Sequence, residues 1–241
     1  MRHVKYLFST LVLLLCCVSV SAQVEINGIR YNLKLELNTA EVTSGSYQYF
    51  GTVTIPSTIT YDNQEYQVTS IGSSVFNGCS GLTSITIPES VTSIGERTFY
   101  KCSNLTSIAI PKGVTSIENG VFYGCSSLTS ITLPEGVTSI GESAFGNCGG
   151  LTSITLPEGV TSIGEGAFRG CYDLTSITLP EGLKSIGESA FSECWDLASI
   201  TIPEGVTSIG KGAFNGCDNL TSITIPESVK SIGGGAFYKC I

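Results

Sequence analysis

Cys79, Cys102, Cys125, Cys148, Cys171, Cys194, Cys217 and Cys240 recur at intervals of 23 residues. Thiols can bridge, ligate a metal or attack as nucleophiles, and each use needs different surroundings. Disulfides are at home in an exported protein, yet a bridge uses neighbours in pairs, whereas this period treats every position alike. A metal needs convergent ligands, and a single line of sulfurs does not converge. The reading is therefore a ladder of small, reduced, inward-facing side chains. A second series is carboxylic: Glu135, Glu158, Glu181 and Glu204 follow a proline at the same interval. General acid–base work needs two carboxyls in different environments, so a column of equals reads as a solvated rim. His3 is the only histidine, and it lies in an N-terminal segment expected to be removed, which excludes Ser-His-Asp and Cys-His pairs from the rest. No catalytic residue, metal ligand or cofactor-binding residue is assigned, and the expectation is a protein that is not an enzyme.

The element that carries these columns is a segment such as LTSITLPEGVTSIGEGAFRGCYD, residues 151–173, with near-copies beginning at Leu82, Leu105, Leu128, Leu174, Leu197 and Leu220. Leu at the first position, Ile at the fourth and Ile or Leu at the sixth give a short strand with alternating inward apolar side chains. Proline ends that strand because it cannot donate to a ladder. Val91 and Ile94 with their equivalents form a second inward piece, the glycines at 95, 141, 164, 187, 210 and 233 allow a turn, and GAFRGC closes the coil as a tight helical turn with Phe168 and Cys171 inside. One such unit buries side chains worth about 1.5–3 kcal/mol each, less in total than the cost of ordering its backbone at about 1–2 kcal/mol per residue. Stacking is therefore compulsory, and the units must share one core.

The pattern L-x-x-I-x-[IL]-P-x-x-V-x-x-I-G-x-x-A-F-x-x-C over residues 68–241 resembles the BspA-type leucine-rich repeat family, with departures at Glu118 for Gly and at Thr98 and Val121 for Ala. The resemblance implies an exported bacterial surface protein, a curved repeat scaffold used for adhesion or protein binding, and no shared catalytic residues. The expected fold is a leucine-rich repeat solenoid of short parallel strands and tight helical turns, preceded by a β-hairpin cap. Residues 23–67 supply that cap: Asn27-Gly28 and Asp62-Asn63 each sit as a two-residue turn between alternating apolar flanks, and Ile55-Pro56 matches Ile87-Pro88 of a coil.

Residues 1–22 read as an export signal, with Arg2 and Lys5 before an apolar run to Val18 and small residues at Ser19–Ala22. The run is too short to span a bilayer, and Leu15 and Cys16 stand where lipidation of Cys16 or Cys17 wants small residues. Its removal, with Arg2 and Lys5, takes the formal charge from −8 to −10. An acidic surface without basic clusters argues against nucleic acid as a partner. The product is expected to be secreted or held at the cell surface, in association with the outer membrane.

Binding should reside where the copies differ. Ser and Thr on the strand face scarcely vary, whereas residues around the cysteine do: Arg169, Tyr172-Asp173, Glu193 and Trp195-Asp196 are the candidate partner-binding residues. Tyr172 and Trp195 follow cysteines of successive units and should be neighbours. The expected partners are host or bacterial surface proteins; the alternative is a carbohydrate-binding accessory stacking sugars on these aromatics. Cys240 and Ile241 are still in repeat register, so the last coil is expected to be uncapped and to self-associate, or to belong to a longer array.

Overall fold

The computed structural model describes residues 21–45 and 48–240. The expected export signal lies outside these residues except for Ser21 and Ala22, which open the first strand.

The chain begins with β1 (Ser21–Ile26), β2 (Ile29–Lys34) and β3 (Thr39–Thr43), an antiparallel meander. Asn27 and Gly28 turn β1 into β2 with both residues at positive φ, 52° and 77°, the geometry a two-residue hairpin requires. β4 (Gly51–Thr54) follows, then β5 (Thr58–Tyr61) and β6 (Gln64–Ile71), paired as a second hairpin through Asp62-Asn63, also at positive φ. β3 pairs in parallel with the C-terminal half of β6, from Gln67 to Ile71, so cap and solenoid share one sheet.

β4 belongs to a coil. It pairs in parallel with β7 (Leu82–Thr86), matching Val53 to Ile85, and the Ile55 N–H donates to the Thr86 carbonyl at 3.0 Å. The end of β6 pairs in parallel with β8 (Ser93–Ile94), Ile71 beside Ile94. The first coil therefore starts at Gly51, and the β5–β6 hairpin lengthens it between Pro56 and Val68. The boundary expected at 67/68 falls inside β6. From β7 onward each coil repeats two short parallel ladders, one through residues such as Ser153–Thr155 and Ser176–Thr178, the other through the Ser-Ile pairs 116–117, 139–140, 162–163, 185–186, 208–209 and 231–232.

Inside, the columns read from sequence are buried up to the last coil, among them Leu151, Ile154, Leu156, Val160, Ile163, Ala167, Phe168 and Cys171, whereas in the last coil Ile223, Ile225, Val229, Phe237 and Cys240 are half-buried and Ile232 is exposed. Phenylalanines 76, 99, 122, 145, 168, 191, 214 and 237 form one stack with ring centroids 5.3–5.6 Å apart. Tyr49 closes this stack at its N-terminal end, edge-on to Phe76 at 4.9 Å, and its N–H donates to the Cys79 sulfur at 3.3 Å.

The cysteine column has a specific partner. Each thiol from Cys102 to Cys240 donates to the carbonyl of the phenylalanine 26 residues earlier, at 3.1–3.2 Å. That carbonyl also closes its own turn: Phe168 O accepts from the Cys171 N–H at 3.2 Å and from Cys194 Sγ at 3.2 Å. Small size, apolarity and a weak donor are combined only in cysteine. At Thr98, which replaces the small Ala of other coils, the buried hydroxyl is shared between the carbonyls of Gly95 and Gly72.

The turn after each Ile-Gly consists of bonds from an N–H to the carbonyl three residues back, interrupted by two left-handed positions. The interruption keeps it from extending as helix. It is knitted to the next coil by its backbone, as in Gly166 N to Glu188 O, Phe168 N to Ala190 O and Gly170 N to Ser192 O, all at 2.8 Å.

Glycine plays two separate parts here. The column at 95, 141, 164, 187, 210 and 233 does not adopt positive φ. A Cβ added at Gly187 would sit 2.6 Å from the Gly164 carbonyl carbon, so this column exists to let one coil's backbone lie against the last. The left-handed residues lie elsewhere. One such column runs Gly78, Lys101, Gly124, Asn147, Gly170, Glu193, Gly216, Lys239, every member at positive φ, and glycine alternates strictly with a larger residue. A Cβ at Gly124 would meet Lys101 Cγ at 3.2 Å, and one at Gly170 would strike the Asn147 side-chain oxygen. The larger residue of one coil folds over the glycine of the next, so the surface repeats every second coil.

Two outcomes are expected. Gly187→Ala should destabilise by about 1–3 kcal/mol or more, since its Cβ meets rigid backbone, whereas Gly136→Ala, with nothing nearer than 3.7 Å, should fall within about 0.5 kcal/mol of the parent; chemical denaturation compares them. Burial also raises the thiols, Cys148 and Cys217 to about 12 from an ordinary 9.0, and Cys102, Cys125, Cys171 and Cys194 upward as well. Between those values the folded state holds protons that the unfolded state has lost, so stability is full below pH 9 and falls as pH rises toward 12. Each thiol contributes a slope of about 1.4 kcal/mol per pH unit. A pH titration followed by circular dichroism should show cooperative alkaline unfolding above pH ~9 that a Cys148→Ala, Cys171→Ala double variant makes shallower.

Candidate functional site

The exposed side of the turn carries the residues that differ between coils. Trp195 is 47% exposed and stacks on half-buried Tyr172 with ring centroids 4.2 Å apart and planes at 26°. Backbone register places them: the Asp196 N–H donates to the Tyr172 carbonyl and the Asn219 N–H to the Trp195 carbonyl, each at 3.1 Å. Tyr172 lies flat against glycine, its Cδ2 3.2 Å from where a Cβ of Gly149 would stand, and its hydroxyl reaches over Gly170. Glycine in the preceding coil is what allows this ring to lie down.

Arg169 and Glu193 make a second pair, Nη2 to Oε1 at 3.1 Å. Glu193 is a left-handed residue at φ 61°, which aims its side chain back across the coil boundary toward Arg169. Asp173 and Asp196 are exposed, and Asp196 Oδ1 accepts from Asn219 Nδ2 at 3.2 Å. The structure thus resolves the six expected residues into an aromatic pair, an ion pair and two surface carboxylates.

A second aromatic pair lies outside those six. Tyr100 and Tyr123 stack at 4.7 Å with planes at 8°, Arg97 and Lys101 lie over the Tyr100 ring at 5.8 and 5.4 Å, and Asn147 Nδ2 donates to the Tyr123 hydroxyl at 2.6 Å. A shallow groove lined by Glu96, Arg97, Tyr100, Tyr123 and Glu142 continues across Tyr123 and Ser143 to Asn147, Arg169 and Glu193. Identical residue type at an interval of 23 was the available signal for the tyrosine pair.

The strand side is different. Thr106, Thr152 and Thr175 donate their hydroxyls to the carbonyls of Thr83, Thr129 and Thr152 in the preceding coil at 3.1–3.3 Å. Those donors are spent within the ladder. Glu135, Glu158, Glu181 and Glu204 stand exposed, one per coil. Among the described residues no group of three or more His, Cys, Asp or Glu is placed to hold a metal ion, and no helix is long and apolar enough to cross a membrane.

A stack of short parallel strands with one buried phenylalanine and one buried cysteine per 23-residue coil defines a leucine-rich repeat solenoid. The family model of the BspA type leucine-rich repeat region matches residues 45–174 and 138–241, and the chain belongs to that family. Among solved structures, it is similar to a leucine-rich repeat protein from Bacteroides ovatus, 38% identical with a TM-score of 0.85 over 90% of this chain and 57% of that one. The chain thus spans little more than half the length of that relative. The leucine-rich repeat protein of T. pallidum is 30% identical, TM-score 0.72, covering 83% of this chain and 92% of that chain. A leucine-rich cell surface protein from Faecalibacterium prausnitzii is 29% identical, TM-score 0.65, covering 91% and 74%. No curated protein matches the chain.

The facing of the coil gives a direct expectation. Phe168→Ala removes a ring from the closed stack and should cost about 3–5 kcal/mol, while Trp195→Ala removes an exposed stacking partner and should cost no more than about 1 kcal/mol. Urea unfolding of the two variants checks this; equal losses would reverse the assigned facing.

Proposed function

We propose that the chain is an exported, non-enzymatic scaffold that binds proteins at or near the bacterial surface through its turn edge, with Tyr172, Trp195, Asp173, Asp196, Arg169 and Glu193 as the contact residues. The observation that supports it most is the Tyr172–Trp195 stack, a rigid aromatic pair held in the open by backbone register. An aromatic already fixed in place loses little entropy on binding, and such residues anchor protein interfaces. The family and its cell-surface relative support the setting. The engagement of the Thr106, Thr152 and Thr175 hydroxyls in the ladder favours the turn edge over the opposite face.

The test measures binding of the purified chain to a panel of purified extracellular-matrix and bacterial surface proteins by surface plasmon resonance, beside a glycan array. The expected result is a protein ligand whose affinity drops at least about tenfold in Tyr172→Ala and Trp195→Ala, with thermal stability retained. Binding to a glycan alone, lost in the same variants, would replace the protein reading with the carbohydrate one. Protein binding unaffected by either variant would move the site off this edge.

A further inference from the structure

Resting on that reading, the chemistry around Trp195 specifies what kind of segment the edge accepts. One face of the indole is covered by Tyr172 at 4.2 Å. The position that follows Trp195 in the same column, one coil on, is Asp218, as the bond from the Asn219 N–H to the Trp195 carbonyl fixes. Asp173 and Asp196 occupy the adjoining column beside the two aromatics, and all three aspartates are exposed. The nearby cation Arg169 is committed to Glu193 at 3.1 Å, and Lys211 to Glu188 at 3.5 Å. Among the described residues, Asp173, Asp196 and Asp218 make no ion pair. Among the described residues Asp196 accepts a side-chain bond from Asn219, which is neutral.

An indole with one face covered, a carboxylate at the next position of its column and two further carboxylates in the adjoining column is a complement to a planar cation. We infer that the Trp195 edge recognises an arginine-bearing segment of a partner protein, the guanidinium lying on the free side of the Trp195 ring and donating to Asp218 and Asp196. A guanidinium is suited to this double demand because it stacks on aromatic faces and offers in-plane donors to carboxylates. A lysine ammonium satisfies the charge but not the stack. The Tyr100–Tyr123 pair makes the contrast within the same chain: there Arg97 and Lys101 already lie over the Tyr100 ring, the place an incoming cation would take. Of the two aromatic pairs, only the one at Tyr172–Trp195 is both exposed and bordered by unpaired negative charge.

Trp195 is the single tryptophan of the chain and reports on its own site. The full chain is titrated with a short neutral-backbone peptide carrying two arginines, and with its citrulline and lysine counterparts, while tryptophan emission is followed. The expected result is a saturable change with the arginine peptide, at least about tenfold weaker binding for citrulline and an intermediate affinity for lysine. Asp218→Asn and Asp196→Asn should each weaken the arginine peptide about threefold or more, and added salt should weaken it further. Indistinguishable arginine and citrulline titrations, no saturable response at millimolar peptide, or indifference to both aspartate variants would overturn the inference. If a protein ligand found on the panel still depends on Trp195 while the arginine peptide fails, this inference falls and the scaffold reading stands. If neither binds through Trp195, both fall.

Discussion

Everything in this molecule depends on how closely one coil can approach the next. Parallel ladders on two sides and turn-to-turn backbone bonds at 2.6–3.2 Å on a third hold successive coils one strand spacing apart. At that spacing nothing fits between the turns but backbone, and a Cβ at Gly164, Gly187 or Gly210 would stand 2.5–2.6 Å from a carbonyl carbon or amide nitrogen of the preceding coil. Once that approach is fixed, the interior follows. Rings of one column must be parallel because tilted ones would need more room, and the phenylalanines accordingly stack at 2–15° between planes. Face-on stacking is not the arrangement an isolated pair of rings prefers; here the ladder imposes it.

The same spacing crowds the surface. A long side chain on every coil of a left-handed column would collide with its successor, and the alternation of glycine with Lys101, Asn147 and Glu193 relieves this by giving each long side chain an empty neighbour to lie over. The non-glycine members accept a backbone conformation disfavoured by about 1–2 kcal/mol, offset by contacts and, at Glu193, by the ion pair with Arg169. Tyr172 follows the same rule over Gly149. Two large aromatics can then sit on adjacent coils only by stacking, which is what Tyr172 and Trp195 do, as do Tyr100 and Tyr123.

Much of this was legible in the sequence because a repeat of fixed length turns spacing into contact. Cysteine and phenylalanine columns, the proline that ends each strand, the hairpins at Asn27-Gly28 and Asp62-Asn63, and the adjacency of Tyr172 with Trp195 all follow from residue type plus period. The glycine at 164 and its equivalents was visible as a column, but its reason was hidden: backbone clearance, not turn geometry. The true left-handed columns were obscured because half their members are not glycine, and of these Lys, Glu, Ser and Arg, unlike Asn147, do not advertise positive φ. The first coil was masked in a similar way. Its Ile55-Pro56 matched the repeat, yet the β5–β6 hairpin separates them from Val68 and breaks the period that would have exposed the match. Arg169 and Glu193 were singled out for their variability, and their pairing could not be foreseen without the φ of Glu193.

The division between the two sides of the coil bears on where recognition can evolve. On the strand side, a threonine hydroxyl that donates to the preceding coil's carbonyl is part of the ladder, and its replacement removes a bond that recurs along the stack. Uniformity there is a structural demand, and it leaves little with which to distinguish partners. On the turn side the backbone bonds run between main-chain atoms alone, so the side chains at 169, 172, 193, 195 and 218 can change without opening the ladder. The constraint that does act on them is steric and pairwise: a large residue requires a small neighbour or a flat partner. Under that rule variation on one coil is coupled to the next, and a surface patch extends over successive coils, as Tyr172, Trp195 and Asp218 do on three of them.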